Sequence, residues 1–165
     1  ALYRQHAQRC EAVAGPRAGR SGVKLALRPC AGEPELGDPA VTGQFAAQMA
    51  ALAEEQQIPP WCGYIGWRDT EPLGFGGFVG KPDEAGVVEI GYLTFPAHEG
   101  QGVASAVAAG LVAIARGEGL SAVIAHTLAE ENASTAVLRR NGFERDGEAQ
   151  DPDEGTVWRW RIDFG

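Results

Sequence analysis

The chain has 165 residues, enough to bury one substantial core and too few for two ordinary domains. Its net charge of -8 argues against a nucleic-acid partner. No apolar run approaches the roughly 20 residues needed to span a bilayer, and the N-terminus lacks the apolar middle of a secretory signal. A soluble, cytoplasmic protein without a membrane partner is expected. Cys10, Cys30 and Cys62 are odd in number and lack CxxC spacing, so reduced thiols are expected rather than a disulfide framework or a metal site.

Arg4, Arg9, Arg17, Arg20, Lys24 and Arg28 face only Glu11 in the first thirty residues. Residues 1–22 therefore read as a basic tail or arm, and 23–165 as one domain. Gly- and Pro-rich stretches at 16–22 and 29–39 bracket a first strand at Val23–Leu27. Good helix formers from Ala40 to Gln57, with Phe45, Met49 and Leu52 at helical spacing, predict a helix that Pro59 and Pro60 end. Three strand-like runs, Trp61–Trp67, Gly74–Val79 and Val87–Thr94, are separated by turn clusters of hairpin length and predict an antiparallel meander.

The period then changes. After Pro96, Gly100 and Gly102, the residues Val103, Val107, Leu111 and Ile114 recur at helical intervals as far as Gly117. Val123–His126 reads as a buried strand. Asn132 suits the N-cap of a short helix that Asn141-Gly142 terminates. Residues 143–149 and 156–162 close the chain as two strands around the turn DPDEG, with Trp158 and Trp160 alternating against Arg159 and Arg161.

The strand, glycine turn and helix at VEIGYLTFPAHEGQGVASAVAAGLVAIA carry the strongest chemical signal. Such a turn gathers free backbone amides at the positive end of a helix dipole, and glycine allows an anion to approach closely. No Gly-Lys-Ser/Thr follows, which excludes a Walker loop. The residue three beyond Gly102 is Ser105, so the full GxGxxG of dinucleotide folds is missing. A GxG before a helix is otherwise explained about as well by a structural turn.

Context adds a family resemblance. Glu99-Gly100-Gln101-Gly102-Val103-Ala104 resembles the Arg/Gln-x-x-Gly-x-Gly/Ala signature of the GNAT N-acetyltransferase superfamily. VEIGYLTFP before it and NASTAVLRRNGFERDGE after it resemble the branch containing the ribosomal-protein N-terminal (alanine/serine) acetyltransferases. The similarity spans residues 61–162. It implies an α/β (α+β) GNAT fold: a mixed, mostly antiparallel sheet of six to seven strands with helices on both faces and strands four and five splayed.

The resemblance also implies acetyl-CoA as acyl donor and an amine acceptor, either a peptide N-terminus or a small amine. Tyr92, Leu93 and Thr94 would then pair through their main chain with the pantetheine arm, and the amides of Gly100, Gln101, Gly102, Val103 and Ala104 would take the pyrophosphate. Asn132 would reach the cofactor, or only cap its helix, or do both. Glu89, the one acid in an otherwise apolar strand, is the candidate general base, with a solvent-facing glutamate as its alternative. Relatives often protonate the leaving thiolate with a tyrosine after strand five. This helix has none, which leaves Ser134, whose other reading is a purely local hydrogen bond.

His126 is either a proton relay or a structural histidine, while Cys62 lacks a local base and the tryptophans read as packing residues. A catalytically idle acyl-CoA sensor or interaction domain of the same fold is the competing reading. The chain is expected to be a monomer or homodimer. Where the signature has Arg or Gln, this chain has Glu99, and a carboxylate about 4 Å from a phosphate costs several kcal/mol at an effective dielectric near 20. Glu99→Arg is therefore expected to tighten acetyl-CoA binding; a titration with unchanged or weaker affinity would remove Glu99 from the phosphate site.

Overall fold

The computed structural model describes residues 23–54 and 58–165. The basic segment 1–22 and the expected helix end at 55–57 lie outside the described residues. Seven strands, β1 (Ala26–Pro29), β2 (Gly63–Arg68), β3 (Glu71–Val79), β4 (Val87–Thr94), β5 (Ala122–Leu128), β6 (Glu144–Asp151) and β7 (Gly155–Asp163), form one sheet in the order β1-β2-β3-β4-β5-β7-β6. Every neighbouring pair is antiparallel except β4 and β5, which run parallel. The expected mixed, mostly antiparallel sheet is therefore found. The helices are α1 (Pro39–Thr42), α2 (Ala46–Glu54), α3 (Val103–Gly117) and α4 (Ala133–Arg140).

Side chains alternate between the faces of a strand, and β4 divides its residues accordingly. Val88, Ile90 and Tyr92 enter the larger core with Val103, Val107 and Leu111 of α3 and Val137 and Leu138 of α4. Leu93 faces the opposite core, which Phe45, Met49, Ile65, Phe75 and Phe95 complete. Helical segments thus cover both faces, with α3 and α4 on one and the α1–α2 region on the other.

The contact between α3 and the sheet is close because β3 offers backbone where it would otherwise offer side chains. A Cβ built on Gly76 would lie 2.4 Å from Cγ1 of Val107 and 3.0 Å from Cδ1 of Leu111, and one on Gly74 would lie 2.8 Å from Cγ1 of Val103. Three of the four apolar positions that define the helical period therefore seat directly over the glycines of β3.

Two elements differ from the sequence reading. The helix expected from Ala40 is interrupted: α1 is a single turn, a 3-10 turn occupies Gly43–Phe45, and α2 starts at Ala46. Gly43 takes a φ of +58° with Pro96, from the turn after β4, against it, a tertiary contact that overrides a run whose summed propensity favours continuous helix. The first strand pairs with β2 over Ala26–Pro29 rather than Val23–Leu27. Val23, Leu25 and Leu27 nonetheless pack on the larger core, so the apolar signal reported burial rather than pairing. At the other edge β6 is mostly exposed and rich in charge, as suits an edge strand.

Gly76→Ala should destabilise the protein. Val107 is fully buried and β-branched, with little freedom to yield, so overpacking should cost about 1–3 kcal/mol. Thermal melting should show a midpoint lower by several degrees, and Val107→Ala introduced with it should recover part of the loss.

Candidate functional site

β4 and β5 pair only through Val87–Ala122, Val88–Val123 and Glu89–Ile124. Each then continues with its outer neighbour alone, β4 along β3 as far as Thr94 and β5 along β7 as far as Leu128. The sheet therefore opens between Ile90–Thr94 and Ala125–Leu128, as the splayed-strand expectation required. A cavity of about 40 Å³ lies in this opening, lined by Tyr92, Leu93 and Thr94 of β4, Ala104 of α3, and Ala133, Ser134 and Val137 of α4. Small residues on both helices leave the space.

Glu99, Gly100, Gln101 and Gly102 form the loop into α3. Gly100 and Gly102 have φ values of +74° and +83°, a region that side-chain-bearing residues rarely enter. Gly102 is the N-cap of α3, and no side chain caps this helix. Its carbonyl accepts from the amide of Ala106, whereas the amides of Gly100 through Ala104 have no acceptor among the described residues. The loop thus presents open donors at the positive end of a fifteen-residue helix. Glu99 is exposed. Asn141 at the end of α4 donates to the carbonyl of Ser105 at 3.3 Å, tying the first turn of α3 to the second helix of the opening.

The start of α4 is built differently. Asn132 Oδ1 accepts from the Thr135 amide at 3.0 Å, and Thr135 Oγ1 accepts from the Asn132 amide at 3.1 Å, a complete capping box. This places Asn132 in the capping duty foreseen for it. One turn in, Ser134 is buried with its Oγ 3.0 Å from the Tyr92 hydroxyl. The same phenol lies 3.3 Å from the Ser134 carbonyl, a second acceptor within reach of its single proton. Burial raises the Tyr92 phenol above its ordinary range, opposed by its hydrogen bond to Ser134, so Tyr92 is neutral.

Glu89 lies on the other face of the sheet, at the last β4–β5 pair before the opening. It is buried, not solvent-facing, and its Oε1 lies 2.9 Å from Nδ1 of His126. Their side chains are 7% and 8% exposed, so the pair is largely withdrawn from water. With the carboxylate ionised, the Nδ1–H donates to it, leaving Nε2 as the basic nitrogen. Such a couple can accept a proton and pass it on. His126 thus has a specific partner, Glu89, which the sequence alone did not identify when it left a proton relay and a structural histidine as the two readings.

Cys62 is buried, and burial raises its thiol above the ordinary range, which suits a structural cysteine rather than a nucleophile. Trp67 and Trp160 are buried, and Trp61 and Trp158 pack against the larger core. The sequence reading missed the side chain of Tyr92, of which only the main chain had drawn attention. Its signal was available: a polar aromatic at a core-facing position of β4 requires a hydrogen-bond partner. Among the described residues no group of three His, Cys, Asp or Glu side chains is arranged to hold a metal ion, and no helix is long and apolar enough to cross a membrane.

The family model of the acetyltransferase (GNAT) domain matches residues 30–144. Among solved structures, the chain is similar to RimL, the ribosomal L7/L12 α-N-protein acetyltransferase in complex with coenzyme A, at 19% identity and a TM-score of 0.71, covering 87% of this chain and 96% of that one. An acetyltransferase from Salmonella typhimurium that modifies the N-terminal serine of ribosomal protein L7/L12 matches at 18% identity and a TM-score of 0.68, covering 87% and 97%. The aminoglycoside acetyltransferase AAC(6')-Ib in complex with coenzyme A matches at 17% identity and a TM-score of 0.67, covering 85% and 95%. At these identities the likeness is one of fold. A comparison with curated proteins finds no match.

Asn132→Ala should cost about 0.5–2 kcal/mol through loss of the cap, and Asn132→Ser should restore most of it, since serine caps as well as asparagine. Chemical denaturation checks this. A fall in acetyl-CoA affinity in the stable Ser variant would show that the amide also serves the cofactor.

Proposed function

Because the chain belongs to the GNAT acetyltransferase family, we propose that it moves the acetyl group of acetyl-CoA directly onto the α-amino group of a protein or peptide N-terminus. The observation that carries this reading is the opening between β4 and β5 with uncommitted amides at one side of it. The thioester donor has two features to satisfy, an amide-bearing arm and a diphosphate, and the chain has a complement for each.

The main chain of Tyr92, Leu93 and Thr94, free of β5 beyond Glu89, pairs with the arm as an added strand would. The amides of Gly100 to Ala104 bind the diphosphate through the helix dipole and direct hydrogen bonds. Glu99 is exposed, so water screens the repulsion its charge would cause. A strand-four amide near Leu93 polarises the thioester carbonyl. Glu89, held by His126, takes the proton that the amine sheds as the new C–N bond forms, and Ser134 on the opposite face hydrogen-bonds the departing sulfur. No covalent enzyme intermediate is required.

The acceptor assignment rests on acidity. An α-amine near pKa 8 has at least about a hundredfold more neutral form at pH 7 than a lysine near 10.4, roughly 3 kcal/mol. An amine that is already partly neutral at pH 7 asks less of its proton acceptor, here the Glu89 carboxylate beside His126. Two of the solved structures with this fold are named for acetylation of a ribosomal protein's N-terminus, which supports the same acceptor class.

Mass spectrometry after incubation with acetyl-CoA and a library of peptides and small amines should show acetylation of free peptide N-termini, and none of N-terminally blocked peptides whose only amine is lysine. Acetylation confined to lysines or small amines would overturn the acceptor assignment. Glu89→Gln should lower kcat at least about a hundredfold, the usual scale of general acid–base catalysis, with acetyl-CoA affinity unchanged; unaltered kcat would remove Glu89 from proton transfer.

A further inference from the structure

The leaving-group side of the site contains a group that the family reading leaves out. Tyr92 comes from β4, not from the helix after β5, yet its hydroxyl reaches across the opening to within 3.0 Å of Ser134 Oγ. Both residues line the cavity between β4 and α4, and both are buried. We propose that Tyr92 is the positioning residue for departure of the thiolate, its phenol donating to Ser134 Oγ so that the serine proton points into the opening. The inference rests on the reading of Ser134 as the group beside the sulfur.

Two hydrogen-bond arrangements are compatible with the distances. If the phenol proton goes to the Ser134 carbonyl, 3.3 Å away, the serine hydroxyl donates back to the phenol and its proton is lost to the cleft. If the phenol proton goes to Oγ, at the shorter 3.0 Å, the serine proton is released toward the substrate. Negative charge on sulfur favours the second arrangement, because every donor in the chain then points toward that charge.

A serine hydroxyl is too weak an acid to surrender its proton outright to a thiolate, whose conjugate acid lies near 8.5 for an ordinary thiol. Its contribution is a hydrogen bond to the sulfur as the C–S bond breaks and the electron pair moves onto sulfur. Solvent then protonates the thiolate, and the amine proton leaves through Glu89. Burial favours the neutral phenol, so Tyr92 remains a donor throughout and is not consumed.

The experiment compares wild-type protein, Tyr92→Phe, Ser134→Ala and the double variant, using acetyl-CoA and the acetyl selenoester of coenzyme A, with an alanine-initiated peptide or the best amine from the library as acceptor. A selenolate is a weaker base than a thiolate and needs less hydrogen-bond help, while the rest of the donor is unchanged. Tyr92→Phe should lower kcat about tenfold or more with acetyl-CoA, leave KM for acetyl-CoA unchanged, and lose most of that deficit with the selenoester. The double variant should be no slower than Ser134→Ala.

A Tyr92→Phe variant as fast as wild type, or equally impaired with both donors, overturns the inference while leaving Ser134 in place. Full activity in Ser134→Ala overturns the inference together with the reading of Ser134 beneath it. Should Tyr92→Phe fail to fold, site-specific replacement of Tyr92 by a fluorotyrosine keeps the hydroxyl and alters its acidity. A change in kcat with acetyl-CoA but not with the selenoester supports the proposal, and no change with either refutes it.

Discussion

The site depends on an interruption: two parallel strands that begin as neighbours and stop pairing after three residues. Backbone amides and carbonyls withdrawn from water without partners are costly, so an opening in the middle of a sheet is stable only if each strand is held from outside and the inner edges are left accessible. Here β3 holds β4 to its end and β7 holds β5 to its end. Beyond Glu89 the inner edge of β4 is therefore left unpaired with β5 while its outer edge stays paired with β3. Ala104, Ala133 and Ser134 maintain the gap by being too small to fill it.

The two-residue period of β4 separates the chemistry into two compartments. Glu89 and Tyr92 are three positions apart and project to opposite faces of the sheet. Glu89 meets His126 on the face that holds the α1–α2 region, and Tyr92 meets Ser134 on the α3–α4 face. In amine acylation one proton leaves the nitrogen while charge accumulates on sulfur. Groups for these two tasks interfere if they touch, since the base would quench the donor. A sheet with a central opening holds Glu89 and Ser134 on opposite faces, which keeps the two tasks proposed for them apart.

Much of this was legible along the chain because its causes are local. The change from strand to helical period after Pro96, the glycine turn before α3 and the capping residue at 132 are all decided within a few residues, and each appears where the sequence places it. The pairings were not legible. Tyr92 and Ser134 are 42 residues apart, and Glu89 and His126 are 37 apart; no spacing rule links them, because the crossover through α3 and the register of β5 bring them together. The broken helix near Gly43 was illegible for the same reason, since its neighbour Pro96 comes from the turn after β4, far along the chain.

The glycine loop also fits the overall charge of the protein. With 22 acidic and 14 basic side chains and a net charge of -8, the domain repels a polyanionic donor at long range, and the loop from Glu99 to Ala104 supplies no cation. The donors that the loop itself offers are short-range and carry no net charge: the amides at the start of α3 and its dipole. Such a site does not titrate, and its strength depends on how firmly the first turn is fixed. That turn is anchored by the α3 valines seated over the glycines of β3 and by Asn141 bound to Ser105. The packing of α3 thus fixes the turn that carries the open amides.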